Sequence, residues 1–278
     1  MTTGIVDRCA VCRGAGTAEP RLDGLLRRCG TCTFTWTAHD LPAPAELYRG
    51  EYFTGGGYDD YYRPVARRFE AALRLRWLLR SVRPGTLLEA GSAAGYFVAT
   101  ARAAGIDARG IEISAAATEY ARRTLGVPVR QGGFEELAPG AAVDAVCAFH
   151  VLEHVEDPAE FIRAARDALS PGGWLALEVP NIDSAAAGRL GHAWPQIQPA
   201  YHRWHFTPRS LSRLVTAGGF TVRRQDTVFS RFYWSRRGRL RHARDLWVAD
   251  VAASRRFRVT HPSMGDCLRL VARRGGAR

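Results

Sequence analysis

From Pro84 onward, short apolar segments alternate with longer segments of helical period, and this alternation excludes most architectures. "TLLEAG" (86–91) reads as a strand, and "GYFVATARAAG" (95–105) as a helix stopped by Gly105. "ARGIEIS" (108–114) is a second strand, followed by a helix that starts at Ser114 and ends at Gly126. "VPVRQGG" (127–133), "VDAVCAFHVL" (143–152) and "WLALEVPN" (174–181) supply a third, fourth and fifth strand. In "DPAEFIRAARDALSPGG" (157–173), Asp157 caps a helix, Pro158 takes its first position and "PGG" ends it. The pattern predicts a doubly wound α/β fold.

In such folds the ligand sits beyond the carboxyl ends of the strands, near the point where strand order reverses. The first turn there is "EAGSAAG" (89–95). Gly91 and Gly95 let the backbone approach a ligand closely. Ala93 stands where many nucleotide-binding turns have glycine, and its methyl group is tolerable if no pyrophosphate nestles there. Glu112, at the end of the second strand, lies twenty-three residues after Glu89. A carboxylate at that place accepts hydrogen bonds from both ribose hydroxyls and repels a 2′-phosphate, which disfavours NADP.

Residues 1–40 carry a second signal. Cys9-x2-Cys12 and Cys29-x2-Cys32 are separated by sixteen residues, the spacing of a four-thiolate zinc site. Four thiolates leave no open position, so this zinc is expected to be structural. A piece of about 40 residues also has too little core to fold without such a staple. The segment holds five arginines against four acids, a poor surface for phosphate. Cys147 and Cys267 fall in apolar strand patterns and read as buried hydrophobes.

Residues 41–83 hold a Pro-rich linker, a Tyr-rich loop with glycines at 55–57, and a helix from Pro64. On that helix Phe69, Leu73 and Trp77 are expected to pack in the core. The rest, 84–278, forms the main domain. All 39 basic residues of the Lys+Arg count are arginine, and their distribution is uneven. Residues 184–278 hold 19 arginines against 4 acids, a balance of +15, whereas residues 1–183 balance at −3. A lobe that basic attracts anionic partners. The apolar runs are too short to span a membrane, and "MTTGIVDRCAVC" has no signal-peptide pattern, so a cytoplasmic enzyme is expected.

"LLEAGSAAGYF", "GIEIS", "RQGGFEEL" and the run "VDAVCAFHVLEHVEDPAEFIRAARDALSPGGWLALEVPN" together resemble the motifs of class I S-adenosylmethionine-dependent methyltransferases. The resemblance covers residues 85–225, with a last strand at "CLRLVARR", and implies a Rossmann-like sheet. It implies that Glu89, Gly91, Ser92, Ala93 and Gly95 form the first cofactor motif, the last four lining the methionine and ribose. It also implies that Glu112 and Ile113 belong to the ribose-binding motif, that Phe134 lies near the adenine, and that Phe149 and His150 stand beside the sulfonium. Many relatives carry Asp where this chain has Gly133, so an adenine contact there falls to backbone or water. A CxxC…CxxC ribbon and Tyr-rich loop ahead of this domain is similar to bacterial methyltransferases of secondary-metabolite and deoxysugar pathways.

The resemblance implies methylation of a small-molecule acceptor, with oxygen the expected atom and nitrogen or carbon as alternatives. "HAWPQIQPAYHRWHFTPRSL" (192–211) follows the fifth strand on the substrate-facing side. His205 and His202 are candidate bases there, and His154 is a substrate-adjacent candidate. Some quinone-pathway O-methyltransferases of similar sequence hold a divalent metal on the segment matching "HVLEH", but they carry an acid where this chain has His150. The basic insertion at 226–262, with Arg237 and Arg241 after Phe232, Tyr233 and Trp234, suits an acceptor that is anionic or borne on an anionic carrier. The alternative reading is a zinc-module RNA methyltransferase. Against it stand the near-neutral ribbon and the lack of an Asn-Pro-Pro-Tyr type segment.

Overall fold

The computed structural model describes residues 8–19, 22–39, 41–47, 64–133, 141–228 and 265–275. Phe134, the Tyr-rich loop and most of the basic insertion, with Arg237 and Arg241, lie outside the described residues. A small sheet begins with β1 (Gly16–Ala18), β2 (Leu26–Cys29) and β3 (Thr35–Thr37). After a short α1 (Pro44–Leu47) comes α2 (Pro64–Leu78). The main domain then runs β4 (Thr86–Ala90), α3 (Tyr96–Ala103), β5 (Asp107–Glu112), α4 (Ala115–Thr124), β6 (Val129–Gln131), β7 (Val143–Phe149), α5 (Pro158–Ala168) and β8 (Leu169–Pro180). Next follow α6 (Ala185–Leu190), β9 (Trp204–His205), α7 (Pro208–Ala217), β10 (Phe220–Val228) and β11 (Cys267–Arg274).

The large sheet has seven strands in the order β10-β11-β8-β7-β4-β5-β6. β4 pairs in parallel with both β5 and β7, so strand order reverses around it. β11 runs antiparallel between β8 and β10. This is the expected Rossmann-like doubly wound sheet, and the helix boundaries follow local chemistry. Ser114 accepts from Ala117 N, and Asp157 accepts from Ala159 N and Glu160 N. Thr207 and Ser210 form a capping box around Pro208, which takes the first helical position. The fifth helix stops at Ala168, earlier than "PGG", because the chain from Leu169 is already extended. α2 buries Trp77 as expected, together with Ala71, Leu75 and Leu78, whereas Leu73 is half-buried and Phe69 is 51% exposed.

The small sheet does not close within residues 1–40. Its order is β1-β2-β3-β9, so its fourth strand comes from the main domain, with Thr35 opposite His205 and Trp36 opposite Trp204. Phe34 stacks on Trp204 at 5.6 Å and lies 5.4 Å from Phe206. The cysteines, Phe34 and Trp36 thereby join one apolar cluster with Leu88, Leu175, Val179 and Leu211. Leu22 and Leu26 pack on Ile182, Trp194 and Ile197. Burying Phe34 and Trp36 of the ribbon against Trp204 and Phe206 explains why so small a sheet holds its place, since each such side chain contributes roughly 1.5–3 kcal/mol.

Candidate functional site

The candidate site residues gather where the adjacent parallel strands β4, β5 and β7 end. Gly91 (φ 65°) and Gly95 (φ 80°) both take left-handed backbone that glycine alone adopts freely. A Cβ at Gly91 would fall 2.4 Å from Val151 Cγ2, and one at Gly95 would fall 2.9 Å from Ala121 Cβ. Ala93 is also left-handed, at φ 46°, with a Cβ that disfavours it. Its amide donates to Glu112 Oε2 at 2.7 Å, and Ser114 N donates to Oε1 at 2.9 Å. Ser92 N donates to Ile111 O at 3.0 Å. Glu112 therefore ties the first turn to the end of β5, while half-buried Ile113 follows it. Burial raises the Glu112 pKa, although the Ser114 and Ala93 amides oppose the rise.

Glu89 is 4% exposed, and its Oε2 has no hydrogen-bond partner among the described residues. Burial holds its carboxyl well above the usual range, against the pull of Arg74. Such an orphaned acceptor is costly unless something pairs with it.

Phe149 ends β7, with Phe97 4.7 Å away edge-on and the Arg74 guanidinium 4.8 Å above its ring. His150 follows with φ 57°. "HVLEH" forms a turn rather than a helix, yet His150 Nδ1 still lies 3.0 Å from Glu153 Oε1. His150 Nε2 is 3.3 Å from Glu178 Oε1. Burial opposes a charge on His150, but Cys267, Glu153 and Glu178 outweigh it and hold its pKa well above normal. Glu178 also accepts from Arg74, with Nη2 at 2.6 Å and Nε at 3.0 Å, and from Arg269 Nε. Desolvation alone would raise Glu178, yet Arg269 and Arg74 keep it well below the carboxylate range. This network escaped the sequence reading. Its one signal is a lone acid inside the apolar "WLALEVPN".

The three candidate histidines form a row that leads away from β7. His154 Nδ1 is 3.1 Å from Tyr201 O, and its ring lies 4.6 Å from that of His202. His202 Nδ1 is 3.0 Å from Gln196 O. His205 lies 6.4 Å beyond, inside the small sheet, with Nε2 3.2 Å from Thr37 Oγ1. Burial lowers all three, His202 with help from neighbouring histidines, and takes His205 to about 3.

In the ribbon the four cysteine sulfurs lie within 4.8 Å of one another. Cys9 and Cys32 approach to 3.4 Å, as do Cys12 and Cys29, too far for disulfides. Val11 N and Cys32 N point at Cys9 and Cys29 sulfurs, the usual support for thiolates around a metal. At Cys29 burial raises the pKa, but amides of Cys32 and Thr31 prevail and bring it to about 7. Cys147 and Cys267 are buried in β7 and β11 as expected.

A family model described as a methyltransferase domain matches residues 61–225, more than half of the chain. The chain belongs to that family. The methyltransferase domain is 30% identical over 148 residues to a probable S-adenosylmethionine-dependent methyltransferase of Mycolicibacterium smegmatis, covering 51% of this chain and 53% of that one. It is 32% identical over 158 residues to a ubiquinone biosynthesis O-methyltransferase of Cereibacter sphaeroides, covering 54% and 63%. The matches thus span between half and two thirds of those relatives. The fold is shared with magnesium protoporphyrin IX methyltransferase from Synechocystis, solved with bound SAH, at TM-score 0.56 and 15% identity, over 81% of this chain and 97% of that one. No helix among the described residues is long and apolar enough to cross a membrane.

Proposed function

We propose that this chain transfers a methyl group from S-adenosylmethionine to an oxygen of a small-molecule acceptor. The observation that carries the cofactor assignment is the unpartnered Glu89 oxygen at the end of β4. The orphaned, buried Glu89 oxygen beneath the glycine turn suits a ligand with a cationic end. Gly91, Ser92, Ala93 and Gly95 would line its methionine and ribose. Glu89 would face the ammonium end, Glu112 and Ile113 the ribose side, and Phe149 and His150 the sulfonium. The bound cofactor supplies a methyl group on a good leaving group. The protein then holds the acceptor in line, excludes water and keeps its own network fixed.

Oxygen is favoured because a relative of this sequence is named as a ubiquinone biosynthesis O-methyltransferase. The +15 balance of residues 184–278 favours an anionic or carrier-borne acceptor. His205, with a pKa of about 3, is a poor proton acceptor near neutral pH, so we read it as a positioning residue. Zinc in the four cysteines is structural in this reading and takes no part in the transfer.

The test uses S-adenosylmethionine with a labelled methyl group and a panel of phenols, catechols and carboxylates, free and thioester-linked. Label in a methyl ether or methyl ester and release of S-adenosylhomocysteine are expected. Label only in nitrogen or carbon products would refute O-methylation, and failure to bind the cofactor would refute the whole reading.

A further inference from the structure

A cavity of about 650 Å³ lies between α2 and α3. Leu75, Leu79, Ala103 and Ala104 supply its apolar wall, and Arg76, Arg80 and Arg83 supply its charge. It is remote from the candidate site. α3 starts beside the Gly91–Gly95 turn and runs back to Ala103, and the next strand begins at Asp107, whose amide donates to Gly85 O. The cavity therefore sits toward the amino ends of the parallel strands, whereas the glycine turn sits at their carboxyl ends.

The three arginines are brought together by the way α2 ends. The helix stops at Leu78, but Leu79 N still donates to Leu75 O, Arg80 N to Trp77 O and Val82 N to Leu78 O. The chain thus keeps turning, and Arg76, Arg80 and Arg83 reach one cavity, all of them exposed. No acid lines it. The described acids nearby are already engaged. Glu70 pairs with Arg67 and Arg74, Asp107 pairs with Arg102 and Arg109, and Asp144 accepts from Gly85 N and Thr86 N. The C-terminal end of a helix carries only about half a negative charge, so a single arginine offsets it and two remain.

We propose that this cavity binds a soluble organic phosphate, a phosphate monoester whose ester group is apolar. Such a monoester carries a charge of about −1.5 to −2 near pH 7 and three acceptor oxygens, one for each guanidinium. A carboxylate has one charge and two oxygens, and leaves an arginine unmatched. The volume lies within the range of roughly 300–1,000 Å³ that small ligands occupy. The apolar wall is recessed, since Leu75 is buried and Leu79 half-buried, so it receives an ester group rather than inserting into lipid. S-adenosylmethionine has no phosphate, so this ligand is a second one.

The probe is 1-naphthyl phosphate, titrated by calorimetry into the full chain with and without saturating S-adenosylhomocysteine. One equivalent is expected to bind in both cases, at least about tenfold more tightly than 1-naphthol or inorganic phosphate. Amide exchange should slow at residues 76–83 and 100–104 and stay unchanged at 89–95. Arg80→Gln should weaken binding about tenfold, and Arg76→Gln, Arg80→Gln and Arg83→Gln combined about a hundredfold, with an unchanged unfolding temperature reporting that each variant is folded. Affinity no better than that of inorganic phosphate, protection at 89–95 instead of the cavity, or a folded triple variant that binds as the wild type does would each overturn the proposal. So would sedimentation with phosphatidylglycerol vesicles without binding of the soluble probe, which would assign the arginines to a lipid surface.

Discussion

The hydroxyl of Thr37 donates to the carbonyl of His202 at 2.5 Å, joining residues 165 positions apart. The same hydroxyl faces His205 Nε2. The ribbon therefore holds the backbone of the loop that follows α6. Thr37→Val keeps the shape and removes both contacts. Stability should fall by about 1–3 kcal/mol, the cost of leaving buried polar groups unpaired. Amide exchange should rise at residues 203–206 and not in β4 or β5. Uniform exchange changes across the sheet would show that the contact is not local.

Metal analysis of the reduced protein should find zinc in the cysteine cluster. Cys12→Ser and Cys29→Ser should lose it and unfold at markedly lower temperature, since the aromatic cluster around Phe34 loses its frame. Fully folded, zinc-free wild-type protein would disprove the structural role.

Glu112→Ala should weaken S-adenosylhomocysteine binding by roughly 1.5–3 kcal/mol, the range for charge-assisted hydrogen bonds. Part of that loss comes through the turn, because Ala93 N loses its acceptor. Glu112→Gln retains an acceptor oxygen and should fall between the two. Calorimetry that finds all three proteins equal would move the ribose contact elsewhere.

At Ala93 the left-handed backbone sets two opposed terms. Glycine relieves steric cost of about 1–2 kcal/mol but adds unfolded-state entropy of about 0.4–1 kcal/mol. Ala93→Gly should thus be neutral to mildly stabilising in urea unfolding, whereas Ala93→Val should lose more than 1 kcal/mol. A stable Ala93→Val variant would contradict this backbone geometry.

Acid should destabilise the protein from below about pH 6.5, the value for histidine in the unfolded chain. His205 stays neutral when folded down to about 3, and His154 and His202 are lowered too. The unfolded state therefore binds more protons. Stability is full above about 6.5 and falls as pH drops toward the folded values, by up to about 1.4 kcal/mol per pH unit per histidine. His205→Gln should make the acid limb shallower between pH 7.5 and 5. Identical slopes in variant and wild type would remove His205 as a source.

The large sheet was legible in the sequence because its signals are local. Asp157 and Ser114 announce helix starts within three residues, and "CLRLVARR" coincides with β11. The glycines and Glu112 of the candidate site were legible for the same reason. β9 was not, since it is two residues long and is a strand only because β3 lies beside it. The Glu178 network needs Arg74, 104 positions away, and periodicity along one segment carries no such information. Phe69 on α2 was misjudged for a related reason: an aromatic at helical spacing marks a face without saying what covers it.

The strand shared between ribbon and main domain also sets an order of events during synthesis. β3 leaves the ribosome long before β9 exists, with well over a hundred residues still to be translated. At 5–20 residues per second the wait is on the order of ten seconds. Through that interval four thiols and the Phe34 and Trp36 rings have no finished sheet to enter, so the nascent chain meets zinc or oxidant first and its own fourth strand last.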